Sequence, residues 1–309
     1  MKAGSNLEKV LSSGEFAVTA ELGPPKSADP QVIIEKGNIL KGYVDAVNIT
    51  DNQTAIVRMA SIAAGAIVVK EGIVEPVMQM VTRDRNRIAI QSDILGAAAL
   101  GIKNCLCLAG DHHSSGNHPS AKNVYDLDSI QLVAMLKAMR DDKVFQCGEE
   151  IEEVQPQLFI GAAWTPLADP KEIRVIRLAK KVAAGADFIQ TQGVYDVKSF
   201  AESMKKACDM GLCEDTYILA GIIPLKSAGM ATYMQKSVPG VNVPDEMIKR
   251  LKDAGRKRAG AEGRKIAVEL IQQLREVEGV RGVHIMAIEW EERVPGIVEK
   301  AGLLPRPSL

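Results

Sequence analysis

The chain has 309 residues, 46% hydrophobic and 25% charged, which excludes disordered and fibrous classes and suits a globular protein with a large buried core. Its 38 basic and 39 acidic side chains nearly cancel, and the Lys/Arg-rich run Lys249–Lys265 carries acidic residues in a helical pattern, so no nucleic-acid backbone is implied as partner. No apolar run approaches a membrane span, and the polar stretch Met1–Glu15 lacks the apolar core of a signal peptide, which points to the cytoplasm.

Eight short β-branched or apolar runs are predicted strands: Phe16–Ala20, Val44–Ile49, Val74–Val81, Asn104–Ala109, Leu158–Ala163, Asp187–Thr191, Tyr217–Ile223 and Gly282–Ile288. Several successive starts lie about 30 residues apart, the size of one strand–helix unit. Strands that are apolar almost throughout belong in a parallel sheet covered by helices on its outer face. The pattern predicts a (β/α)8 TIM barrel of parallel strands, one domain over residues 1–309. Asp29-Pro30, Asp84 ahead of Arg85–Leu100, and Asp169-Pro170 mark predicted helix starts. Gly101 and Gly185 mark helix ends just before strands. Two connections are long, Gly110–Asp126 and Pro224–Ala261, and the second is expected to hold an extra helical insert before strand 8.

The five cysteines, Cys105, Cys107, Cys147, Cys208 and Cys213, form no C-x-x-C pair, and an odd count without a secretion signal predicts no disulfide framework. Cys105 and Cys107 alternate in an apolar run and read as buried strand residues. His112, His113 and His118 cluster in one loop, but their spacing matches no zinc or iron motif, so no metal is assigned.

In such a barrel the βα loops converge at the C-terminal ends of the strands, and chemistry belongs there. The predicted strands end in Glu21 before Gly23-Pro24-Pro25, Thr50-Asp51-Asn52, Thr82-Arg83-Asp84, Gly110-Asp111, Gln190-Thr191-Gln192 and Glu289. Glu21, pinned by a stiff segment at the end of an apolar strand, is expected to be desolvated, with its pKa raised toward use as a general acid. Asp111 follows a glycine, which lets backbone approach a ligand closely.

Taken together, FAVTAELGPP (Phe16–Pro25), TRDRN (Thr82–Asn86), LAGD (Leu108–Asp111) with GNHP (Gly116–Pro119), and AGADFIQTQGVYDV (Ala184–Val197) closely resemble the methylenetetrahydrofolate reductase family. The similarity runs from about residue 16 to 290, in the family's order and spacing. The resemblance implies reduction of 5,10-methylenetetrahydrofolate to 5-methyltetrahydrofolate by hydride from N5 of a non-covalently bound reduced flavin. It gives Glu21 the role of general acid that opens the methylene bridge, and Asp111 that of the carboxylate beside flavin and pterin. Gln192 becomes the pterin-binding amide. Thr50, Gln79, Asp111, Tyr125, Trp164, Lys181 and Ala186 fall at flavin-contacting positions, with Lys181 toward a phosphate.

The chain departs from that pattern at Gln79, Ala109, Trp164 and the Ala168–Asp169 region, where the family often has His, Arg, Tyr and His. Fewer groups remain for the flavin tail, so the implied cofactor is FAD with FMN as the alternative. Of the aromatics that sandwich folate or nicotinamide in some members, Tyr195 remains and Ala228 lies near the other position. HIMAIEWEE (His284–Glu292) is similar to versions from anaerobes. The implied electron donor is therefore NAD(P)H or an iron–sulfur or zinc partner subunit, in an oligomer or hetero-complex. Other readings are a pterin-binding barrel methyltransferase acting on a corrinoid and a non-catalytic flavin electron-transfer subunit.

Overall fold

The computed structural model describes all of residues 1–309. Eight strands close into a barrel in chain order: β1 Ala17–Leu22, β2 Ala46–Ile49, β3 Pro76–Val81, β4 Asn104–Leu108, β5 Phe159–Trp164, β6 Phe188–Gly193, β7 Tyr217–Ile222 and β8 Val280–Ile285. Every neighbouring pair is parallel, including β1 with β8, which closes the cylinder. The sequence places each strand within a few residues. The largest difference is at β8, whose pairing stops at Ile285, so that Glu289 lies in a loop with a left-handed φ of 48°.

Alternation divides each strand between two environments. Val18, Ala20 and Leu22 of β1, like Met78 and Met80 of β3, face outward into the large core under the helices. Ala17, Ala46, Val77, Leu106, Phe159, Phe188 and Leu219 face inward and fill the bottom of the cylinder. There the Phe159 and Phe188 rings stack at 5.1 Å, and Gly161 is required beside them because a Cβ would collide with the Phe188 ring. A first helix, α1 (Asn6–Ser12), plugs this N-terminal mouth with Leu7, Val10 and Leu11. It was not expected from the sequence. Ser5 caps it, its hydroxyl accepting from Glu8 N at 3.0 Å, while the Glu8 carboxylate accepts from Ala3 N and Gly4 N.

The remaining helices cover the barrel: α2 Gln31–Leu40, α3 Ser61–Lys70, α4 Arg87–Ala99, α5 Ser129–Lys137, α6 Glu172–Ala184, α7 Val197–Asp209 and α8 Leu212–Asp215. The insert before β8 is indeed helical, with α9 Ala228–Ser237 and α10 Asp245–Asp253 ahead of α11 Ala259–Arg275; α12 Val294–Lys300 follows β8. Two expected starts need correction. Asn86, not Asp84, caps α4, because Asp84 is held by Arg83 through bonds of 2.6 and 2.7 Å. Asp169 caps nothing, since α6 begins at Glu172 without a side-chain cap. Asp29 does accept from Gln31 N at 3.0 Å.

The expectation about disulfides is also corrected. Gly211, at φ 78°, turns α7 into α8 and brings the Cys208 and Cys213 Cα atoms to 4.9 Å, where a single local bridge joins them. Cys105 and Cys107 are free and buried in β4. No helix is long and apolar enough to cross a membrane.

Candidate active site

The C-terminal ends of every strand but β7, or the loops that follow them, line a cleft of about 370 Å³ at the C-terminal rim. Glu21, Gln79, Asp111, Trp164 and Gln192 all line it, although they come from five different strand–loop segments. This convergence is the main structural fact about the site.

Glu21 is buried at the cleft wall, 8% exposed. Burial pushes its carboxyl up to about 7, helped by the nearby Glu291 carboxylate and opposed by a hydrogen bond from the Gln53 side chain. Glu291 is itself held by Lys36 at 2.7 Å. Near neutrality Glu21 thus carries a transferable proton.

Below it a polar layer crosses the barrel. Asn48 Nδ2 donates to Gln190 Oε1 at 2.6 Å, while Gln190 Nε2 donates to Asn48 Oδ1 and Thr19 Oγ1 at 3.1 and 3.2 Å. Thr19 Oγ1 also meets His284 Nδ1 at 2.9 Å, and burial depresses the His284 pKa to about 3, which keeps the ring neutral. These bonds engage both ends of the Gln190 amide. Gln192 is different: the β6–β7 register shifts between Gln190 and Gly193, its Oε1 accepts from Gly193 N at 3.0 Å, and its Nε2 has no protein partner. Of the two glutamines, only Gln192 offers donors to a ligand.

Asp111 is held in the loop after β4. Gly110 reaches it through a left-handed φ of 84°, and Asp111 Oδ2 accepts from Thr54 N at 3.2 Å. The residue that organises this rim was not singled out from the sequence. Arg83, buried at the end of β3, donates Nη1 to the Asp111 carbonyl at 3.0 Å and Nη2 to the Asn52 carbonyl at 3.2 Å, and pairs with Asp84. One guanidinium therefore ties the β2, β3 and β4 loops together. An arginine at the end of an apolar strand was the available signal, but only the fold shows its partners.

The other expected cofactor positions divide. Thr50 is buried, and its hydroxyl has no hydrogen-bond partner. Tyr125 stands exposed at the rim with φ 41°, its hydroxyl donating to Gly110 O at 3.3 Å. Trp164 forms a wall, its indole Nε1 donating to Arg174 O at 3.0 Å. That wall is shared with a second cavity of about 240 Å³, lined also by Arg174, Arg177 and Lys181. Lys181 donates to Ala163 O, and burial beside Arg177 lowers its pKa to about 8, a state that an adjacent anion would relieve. Ala186 does not belong to the site. It follows the C-terminal cap of α6 and precedes β6, which puts it on the N-terminal rim, across the barrel from the cleft.

Tyr195 is also turned away, buried with its hydroxyl donating to Ile223 O at 2.6 Å. Glu289 pairs with Arg58 at 3.4 Å and stays exposed. His112 and His113 have ring centroids 4.1 Å apart, and His112 Nδ1 meets Ser114 Oγ at 2.8 Å; no group of three metal-ligating side chains gathers anywhere.

A cationic annex beside a cleft that holds a protonatable carboxyl and a free amide suits a flavin with its phosphates in the annex, whereas Thr50, buried with an unpartnered hydroxyl, lines neither cavity. Relatives agree. The chain is 28% identical over 225 residues to methylenetetrahydrofolate reductase 2 of Schizosaccharomyces pombe, covering 68% of this chain and 33% of that protein. It is 23% identical over 239 residues to a probable NADPH methylenetetrahydrofolate reductase of Caenorhabditis elegans, 74% of this chain and 33% of that protein. The matched region thus spans about a third of these relatives' length. Among solved structures, a Clostridium thermocellum protein described as binding two copies of 5-methyl-5,6,7,8-tetrahydrofolic acid superposes with a TM-score of 0.60 and 14% identity, over 96% of this chain and 98% of that one. At that identity the likeness speaks for the barrel alone. The model of the family described as methylenetetrahydrofolate reductase matches residues 6–302, a span that takes in α1, all eight strands and every residue of the cleft, and the chain belongs to that family.

Proposed function

We propose that the chain catalyses the flavin-dependent reduction of 5,10-methylenetetrahydrofolate to 5-methyltetrahydrofolate. The observation that carries this reading is Glu21, a buried carboxyl that holds its proton to about pH 7 on the wall of a cleft shared with Gln192 and Asp111. Glu21 donates that proton to a nitrogen of the methylene bridge; the carbon–nitrogen bond breaks, leaving a cationic iminium carbon. Asp111 supplies negative charge near that cation, and the free Gln192 Nε2 orients the pterin. A reduced flavin, when bound, supplies the hydride that the carbon accepts. Gln79 and Trp164 would border its ring, and Arg174, Arg177 and Lys181, which line the annex, would hold its phosphates. Three cations in the annex favour FAD over FMN.

No aromatic side chain from the β6 or β7 loop is free to stack a nicotinamide, since Tyr195 is buried and Ala228 opens α9. We therefore assign the electrons to a partner subunit rather than to NAD(P)H. The test is spectroscopic. Purified protein should be yellow, bleached by dithionite, reoxidised by methylenetetrahydrofolate, and should release FAD on denaturation. A colourless protein that transfers a methyl group to a corrinoid, or a yellow one inert toward folate, would overturn the assignment. Rapid bleaching by NADH alone would overturn the donor.

A further inference from the structure

One layer of inward-facing side chains below Glu21 and Gln192, the barrel holds a buried histidine that the proposed reaction leaves unused. Val283 and Ile285 of β8 belong to the core under the helices, so His284 between them points into the barrel, level with Thr19 of β1 in the strand register. It is 3% exposed and lines the cleft together with Gln190.

Its proton is fixed by its neighbours. Gln190 Nε2 directs one hydrogen to Asn48 Oδ1 at 3.1 Å and the other to Thr19 Oγ1 at 3.2 Å. Thr19 accepts that bond and keeps one hydroxyl hydrogen to give. Two acceptors are in reach, His284 Nδ1 at 2.9 Å and Val283 O at 3.4 Å, and the nearer one takes it. Nδ1 is then an acceptor. Because burial keeps the ring neutral, its single proton sits on Nε2, which has no protein partner. The cleft therefore receives a donor whose role is set by a chain of hydrogen bonds running back to β2.

The order of the strands says which bound ring meets that donor. β8 adjoins β1, which carries Glu21, and only β7 separates it from β6, which carries Gln192. Gln79 and Trp164, assigned to the flavin, sit on β3 and β5, which flank the strand opposite β8. His284 is thus on the folate side of the cleft.

We propose that His284 is a further folate-binding residue whose Nε2–H donates to the ring carbonyl of the pteridine, with Thr19 as the positioning residue that fixes the tautomer. The inference rests on the folate reading above. With Nδ1 engaged, the ring cannot turn Nε2 into an acceptor, so a 4-amino pteridine, which presents a donor in place of the carbonyl, is rejected.

Histidine-selective ¹⁵N NMR of the flavin-loaded protein reads the tautomer, since the other three histidines, His112, His113 and His118, share one loop. One ring should stay neutral with its proton on Nε2 from about pH 5 to about pH 8, and Thr19→Val should mix its tautomers. In calorimetric titration with 5-methyltetrahydrofolate, His284→Phe should bind at least about tenfold more weakly and keep its flavin affinity within about twofold. His284→Gln, which restores an Nε2 donor, should recover part of the loss, and Thr19→Val should weaken folate binding at least about threefold with His284 in place. A proton on Nδ1, a ring that titrates in that range, or unchanged folate affinity in His284→Phe overturns the role of His284 and leaves the folate reading standing. Loss of flavin rather than folate from that variant overturns it too. Native protein that holds flavin but binds no folate overturns both. Should His284→Phe fail to fold, the native tautomer and the Thr19→Val titration decide.

Discussion

Glu21 couples burial to chemistry in a way that makes its ionisation measurable. The folded protein retains its proton between the ordinary value of 4.5 and about 7, whereas the unfolded chain releases it over the same range. The stability contributed by this group is thus intact below about pH 4.5 and lost as the pH rises through about 7. Glu21→Gln has no proton to lose, so its melting temperature should rise relative to the native protein at pH 8 and match it at pH 5. The same variant should lose at least about a hundredfold in folate turnover while keeping flavin, the loss expected of a missing general acid. Turnover of the native protein should decline through about pH 7 as the acid form is depleted, and steady-state rates in both proteins check this. Near-normal turnover in the variant would remove Glu21 from the mechanism.

Arg83 and α1 act on different parts of the fold, one on the loops of the site and the other on the barrel itself. Arg83 ties the β2 and β4 loops to β3, and Arg83→Met cuts those ties and leaves Asp84 unpaired. It should raise the folate KM and increase amide exchange over residues 52–58 and 111–117, whereas Arg83→Lys, which keeps the charge but not the planar fork, should recover only part of the loss. Unchanged KM and exchange would show Arg83 to be dispensable for loop order. At the opposite end, α1 closes the barrel. Leu11 is fully buried there, so Leu11→Ala should cost about 2–5 kcal/mol in urea unfolding and leave the folate KM unchanged. A loss under about 1 kcal/mol would mean that α1 is not part of the core.

The whole molecule separates its tasks by rim, with apolar filling and the α1 plug at the N-terminal end and polar groups at the C-terminal end. Cofactor binding should therefore report on global stability, because only the closed barrel presents both cavities at once. Adding FAD to the stripped protein at about 100 times its dissociation constant should stabilise it by about 2.7 kcal/mol. Lys181→Ala removes a cation of the annex, and should lower FAD affinity by about tenfold or more and shrink the melting shift in proportion. An unchanged shift would place the flavin phosphates elsewhere.

The linear chain by itself determined the barrel and much of its rim. Apolar runs of strand length at the spacing of one strand–helix unit have few other ways to bury themselves, and polar residues at the ends of such runs are gathered at the C-terminal mouth once the barrel closes. Glu21 and Asp111 were thus legible as residues of one mouth. Which glutamine amide stays free became visible only in the closed barrel, where bonds to Asn48 and Thr19 engage both ends of Gln190 while Gln192 Nε2 has no protein partner. The tertiary structure also moved Ala186 to the far rim, buried Tyr195, gathered three loops on Arg83 and made α1 a plug. Local pattern sets which elements form and which way a side chain points along them; which distant groups become partners follows from closing the cylinder, and that information is spread over the whole chain.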